Sequence, residues 1–134
     1  MRRPAAPADL PALLAIRDGS GADALSDPAL ATEDELRRLI AAGAVSLWEE
    51  DGWVAGFAAT DGGAIHLLVD PARRSKGIGR ELLAAACAAA KEAGHAVATL
   101  TLAAGGAAER HYRAAGWSEA GRAPSGGVVL KKPL

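Results

Sequence analysis

The sequence predicts an α/β (α+β) domain built on one mixed, mostly antiparallel sheet, and three observations carry that prediction. Two hairpin signals, Asp51-Gly52 and Asp61-Gly62-Gly63, join apolar runs through tight turns, which makes the early strands antiparallel. A β-branched run at 65–69 then passes through a basic loop into a long Ala/Leu-rich helical pattern. A further strand pattern at 97–102 follows that helix, so this strand–helix–strand crossover sets its two strands parallel. The element order is β-α-α-β-β-β-α-β-α-β-β, about six to seven strands flanked by about four helices.

The first element, 2–6, is short and carries Pro4, which confines it to a sheet edge. Residues 7–18 place Leu10, Leu13, Leu14 and Arg17 at helical spacing, and Gly19-Ser20-Gly21 ends that helix. The connection 19–28 reads as irregular and mobile. Thr32-Glu33-Asp34-Glu35 is a capping box, with Thr32 at the N-cap and Glu35 three residues on. It opens a helix carrying Leu36, Leu39 and Ile40 on one face, stopped at Gly43. A two-residue loop at Asp51-Gly52 pairs Glu50 with Trp53, Trp48 with Ala55 and Ser46 with Phe57, stacking Trp48, Trp53 and Phe57 on one face.

The helix at 79–93 shows Leu82, Leu83, Ala86, Cys87 and Ala90 in one stripe and ends at Gly94. Cys87 within that stripe reads as a buried, inert thiol. A small-residue link at 103–107 leads to a short helix at 108–115, stopped by Gly116. A last hairpin turning at Gly126-Gly127 closes the sheet.

Composition bounds the partners. The 134 residues suffice for one core and read as a single domain, 1–134. Lys+Arg 15 against Asp+Glu 16 gives a net charge of −1, which argues against a general nucleic-acid binder. No apolar run approaches the ~20 residues of a membrane span, and Asp9 and Pro11 interrupt any signal-peptide core. One cysteine rules out an internal disulfide and a cysteine zinc site. The expectation is a soluble, cytoplasmic domain with no metal, no membrane and no nucleic-acid partner.

Charge concentrates instead in one stretch, Asp70-Pro71-Ala72-Arg73-Arg74-Ser75-Lys76-Gly77-Ile78-Gly79-Arg80. A strand, a glycine-bearing basic turn and a helix N-terminus suit an anion, because glycines admit close backbone approach and free N–H groups face outward. No Gly-Lys-Ser/Thr follows at Walker A spacing, and the next strand ends Thr101-Leu102-Ala103 without a Rossmann acid. Arg73, Arg74, Lys76 and Arg80 suit a heavily phosphorylated nucleotide such as coenzyme A; a merely solvated charged turn is the plain alternative.

Arg74-Ser75-Lys76-Gly77-Ile78-Gly79 resembles the Arg/Gln-x-x-Gly-x-Gly/Ala signature of the GCN5-related N-acetyltransferase (GNAT) family. Leu67-Leu68-Val69-Asp70-Pro71 is similar to the strand before that signature, and Gly52-Trp53-Val54-Ala55-Gly56-Phe57-Ala58 to the family's second hairpin. Arg110-His111-Tyr112-Arg113-Ala114-Ala115-Gly116-Trp117 is similar to its late Tyr-x-x-x-Gly-Phe block, and 1–11 to its opening strand and helix start. The resemblance implies the GNAT fold, with a splay between the fourth and fifth strands. It implies acyl transfer, acetyl in particular, from acetyl-CoA as co-substrate to a small-molecule or protein amine by direct attack in a ternary complex. A homodimer is common in the resembled family.

The resemblance also implies roles. Leu67, Leu68 and Val69 hold the pantetheine arm like an added strand, with an N–H near Val69 on the thioester carbonyl. Arg74, Ser75, Lys76, Gly77, Ile78, Gly79 and Arg80 hold the pyrophosphate. Tyr112 stands beside the coenzyme sulfur as general acid. Family members often carry a base on the strand before the signature; His66 lies there, on the same face as Leu68, and titrates in the useful range. Glu49, Glu50 and Glu119 are further base candidates, and Asp18, Asp23 and Asp27 can attract a cationic acceptor. Gly105 stands where many members have asparagine, which puts a coenzyme contact and the order of the link in question. It keeps open a competing reading, a catalytically impaired acyl-CoA-binding sensor or interaction domain.

Overall fold

The computed structural model describes residues 1–134 apart from Ala22 and Asp23 and the side chains of Arg74, Ser75 and Lys76. Hairpin chemistry builds the first half of the sheet. β2 (Val45–Glu50) turns into β3 (Trp53–Asp61) through Asp51 and Gly52, whose φ angles of 51° and 80° are those of a type I′ turn. β3 turns into β4 (Ala64–Val69) through Gly62 and Gly63, of which only Gly62 takes a positive φ (62°), and β1 (Arg2–Pro4) adds to the outer edge of β2. The proline at that edge costs no ladder bond.

The expected register of β2 and β3 is corrected here. Glu50 pairs with Trp53 and Glu49 with Val54, but the ladder shifts at Trp48/Glu49, so Trp48 opposes Gly56 and Leu47 opposes Phe57. That bulge makes Ala55 an extra residue and moves Phe57 onto the face opposite Trp48. Phe57 is fully buried, Trp48 packs against the other layer, and Trp53 is 65% exposed. The three aromatics form no stack.

β5 (Val97–Leu102), β6 (Ser118–Arg122) and β7 (Val128–Pro133) make the second half, with β7 inserted between β5 and β6. The sheet runs β1-β2-β3-β4-β5-β7-β6, and β4–β5 is its parallel junction. α1 (Leu10–Asp18), entered through a 3-10 turn at Pro7–Asp9, and α2 (Glu33–Ala41) cover one face. Leu13, Leu36, Leu39, Phe57 and Leu68 fill that layer. α3 (Ile78–Glu92) and α4 (Ala107–Ala114) lie on the other face, where Leu82 of α3 packs with Leu67, Val69, Leu100 and Leu130 of the sheet. Among the described residues no helix is long and apolar enough to cross a membrane.

Local signals explain the helix ends. Thr32 Oγ1 accepts the Glu35 N–H at 3.2 Å, while the Glu35 carboxylate is engaged by Arg38 at 2.8 Å. After α2, Gly43 takes φ 72° and the Ala44 N–H closes on Leu39 O at 2.9 Å, a glycine stop. The basic stretch is less open than its glycines suggest. Pro71–Lys76 is a 3-10 helix, capped by the Asp70 carboxylate on the Ala72 N–H at 3.0 Å. Gly77, at φ 76°, then redirects the chain into α3.

Candidate active site

Two half-sheets meet at a single point. β4 and β5 pair only at Ala64 and Thr99, beside a 2.8 Å hydrogen bond from the Thr99 N–H to Gly63 O. A Cβ at Gly63 would stand 2.4 Å from Val97 O, so only glycine lets β5 approach this closely. Beyond that bridge the two strands separate, the splay that the family resemblance implied.

The splay leaves backbone groups of β4 facing it, and alternation decides which. Asp61 and Ala64 close the two-residue turn as a bonded pair, so His66 and Leu68 also direct their N–H and C=O groups to β3. Leu67 and Val69 direct theirs into the splay. Of the three residues expected to receive the pantetheine arm, Leu68 is therefore corrected: its edge is taken by β3.

Residues 25–27, part of the connection that the sequence reads as irregular and mobile, lie across this opening. Ala24 and Ser26 are buried, Ser26 to 2% exposure. The Ser26 hydroxyl donates to Leu67 O at 2.9 Å and accepts the Leu67 N–H at 2.9 Å. The Asp27 N–H donates to Thr101 O on β5 at 2.7 Å, and the Tyr112 hydroxyl donates to Leu25 O at 3.0 Å. Sequence reasoning missed Ser26. Nothing local marks it, because its partner is a backbone group 41 residues away.

On the α3–α4 side the opening leads into a cavity of about 620 Å³. Gly77, Gly79 and Arg80 bring the first turn of α3 to it, Leu67 brings β4, and Tyr112 brings α4. The first N–H groups of α3 have no acceptor within the helix, and Gly77 offers no side-chain cap. With Arg80 beside them they give this end of the cavity N–H donors and positive charge, a chemistry suited to an anion. Arg73 is committed elsewhere, to Asp70 at 3.2 Å and over the Trp53 ring at 5.9 Å. The side chains of Arg74, Ser75 and Lys76 lie outside the described residues.

Tyr112 is 2% exposed, its ring 5.8 Å from those of Trp117 and His111. Cys87 lines the apolar end of the cavity, where burial pushes its thiol up and keeps it neutral. The link before α4 is tied to the helix at Gly105. This glycine takes φ 80° and donates its N–H to Glu109 Oε1 at 2.8 Å, a carboxylate on the first turn of α4.

His66 does share Leu68's face, and that face is packed by α1 and α2. It lines neither this cavity nor the next. Burial lowers its pKa, opposed by the nearby Glu35 and Asp61 carboxylates. Glu49 is held by Arg3 at 2.9 Å and Glu119 by Arg113 at 3.0 Å, both at the sheet's margins. Asp18 pairs with Arg17 at 2.9 Å, and Asp23 lies outside the described residues. Asp27 differs. It lines a second cavity of about 370 Å³ with Ser26, Pro28, Leu102 and Ser125, on the far side of 25–27 from the first. One of its oxygens caps the short turn that follows, accepting the Ala29 N–H at 3.0 Å.

Comparisons with known proteins agree with this architecture. A family model described as Acetyltransferase (GNAT) domain matches residues 18–125. Among solved structures, a ribosomal-protein-alanine N-acetyltransferase from Brucella melitensis is 26% identical with a TM-score of 0.77, covering 100% of this chain and 99% of its own. A PaiA N-acetyltransferase from Thermoplasma acidophilum, solved in complex with coenzyme A, has a TM-score of 0.78 at 15% identity, over 100% and 98% of the two chains. YncA, a putative acetyltransferase from Salmonella typhimurium solved with acetyl-CoA, scores 0.77 at 22% identity, over 100% and 93%. Comparison with curated protein sequences gives no match. With the seven-stranded sheet, its single parallel junction and a family model spanning most of the sequence, this chain belongs to the GNAT acetyltransferase family.

Proposed function

We propose that this protein, acting as a single domain, transfers an acetyl group from acetyl-CoA to an amine by direct attack in a ternary complex. One observation carries the reading: the splay opens at Leu67 onto a cavity whose lining includes the first turn of α3, which has no side-chain cap. An elongated thioester with a pyrophosphate at one end and amides along its arm matches that sequence of groups. The N–H groups of Gly77, Ile78, Gly79 and Arg80, with the guanidinium of Arg80, take the pyrophosphate. Arg74, Ser75 and Lys76 share that role through the same turn. The β4 edge at Leu67 and Val69 takes the amides and polarises the thioester carbonyl.

The acceptor amine, of a small molecule or a protein, enters through the second cavity, where the Asp27 carboxylate attracts a cationic group. Attack forms the C–N bond and breaks the C–S bond. The departing thiolate takes a proton from Tyr112, the hydroxyl that reaches the splay from α4. The amine gives up its proton to solvent through the Asp27 side; His66, packed under α1 and α2, serves the strand and not the proton.

Acetyl-CoA is expected to raise the melting temperature, and a panel of amines is expected to release free coenzyme A. Tyr112→Phe should leave the Kd for acetyl-CoA within about twofold and lower kcat by about 10²-fold, the scale of a lost general acid. Undiminished turnover would remove Tyr112 from this role. Binding without acylation of any amine would favour a sensor over an enzyme.

A further inference from the structure

We propose that segment 25–27 is a resting strap that holds the coenzyme's contacts until acyl-CoA displaces it, with Ser26 as the placeholder for the thioester arm. This rests on the reading of the α3–α4 cavity as the acyl-CoA site. Three groups assigned to the coenzyme are each covered by consecutive strap residues. Ser26 Oγ satisfies both the N–H and the C=O of Leu67, each at 2.9 Å, on the edge where the pantetheine amides are to bind. Leu25 O receives the Tyr112 hydroxyl at 3.0 Å, the proton intended for the sulfur. The Leu25 side chain lies over the anion site: a Cβ built on Gly79 would meet Leu25 Cδ1 at 3.0 Å.

The Asp27 N–H closes the strap on β5 through Thr101 O at 2.7 Å, so it is tied to strands on both sides of the opening. It also separates the two cavities, since Leu25 lines one and Asp27 the other. Empty, the splay would leave the buried Leu67 pair without partners, a costly arrangement. A hydroxyl, which both donates and accepts, fills that gap with one atom. An arriving thioester arm supplies the same two bonds, so the exchange is nearly balanced and the strap can leave. Its departure takes the Leu25 O acceptor away from the Tyr112 hydroxyl and joins the two cavities.

Ser26→Ala removes the placeholder and leaves Leu67 unpaired in the free protein only. Its melting temperature should fall, and its Kd for acetyl-CoA should tighten by about threefold to tenfold, the range of one or two hydrogen bonds no longer surrendered. Equal or weaker binding by the variant overturns the strap while leaving the coenzyme site standing. Absence of binding by both proteins overturns the coenzyme reading and the strap with it. A second measurement needs no variant. In the wild-type protein, saturating acetyl-CoA should reduce amide-exchange protection at Asp27 by at least about tenfold while Leu67 stays protected. Unchanged or increased protection at Asp27 overturns the proposal.

Discussion

The two faces of the sheet bury similar kinds of side chain and yet differ in kind. Under α1 and α2, Leu13, Leu36, Leu39, Phe57 and Leu68 close into a continuous layer. Under α3 and α4, the corresponding layer of Leu67, Val69, Leu82, Leu100 and Tyr112 is interrupted by a cavity of about 620 Å³. The difference is one of joinery. α1 and α2 cover strands linked by tight hairpins, whereas α3 and α4 straddle the one junction that, among the described residues, is held by a single bridge. A face becomes a site where the ladder beneath it fails to close.

That comparison can be broken in graded steps. Phe57→Ala, on the sealed face, should cost about 3–5 kcal/mol by denaturant unfolding, as large-to-small changes in closed cores do, and leave the Kd for acetyl-CoA unchanged. A change in affinity as large as the change in stability would show that the faces are coupled. Gly63→Ala should cost about 3 kcal/mol, since the new Cβ must push Val97 O away and widen the foot of the splay. Arg80→Gln should weaken acetyl-CoA binding by about threefold to tenfold with no loss of stability, and the weakening should shrink at high salt.

The smallest expected effect is a pH dependence. Burial lowers the pKa of His66 in the folded chain, so below its ordinary value the unfolded chain holds the extra proton. Stability should therefore decline as pH falls through the mid-sixes, and His66→Gln should flatten that slope in melting temperature against pH. A dependence of the same slope in the variant would assign it to other groups.

What could be read in advance divides along similar lines. The Asp51-Gly52 turn, the Thr32 cap and the Gly43 stop are chemistry between residues within a few positions, and the sequence states such things directly. The bulge at Trp48/Glu49 was hidden because β3 is apolar on both faces from Trp53 to Ala59, so a one-residue shift breaks no visible alternation there. For His66 the shared face with Leu68 was legible. Which face held the cavity was not, since both sides of β4 are apolar. Ser26 was beyond reach altogether: its partners are backbone groups, which every residue possesses and no sequence pattern marks.

Gly63 has a mechanical consequence as well as a steric one. The single bridge at Ala64 is a pivot, and Val69 stands five residues up the strand, about 17 Å away at strand rise. A rotation of about 5° at that pivot would shift the far end by about 1.5 Å, roughly the length of one carbon–carbon bond. The turn residue at the foot of the splay thus sets how far β4 and β5 stand apart at its open end.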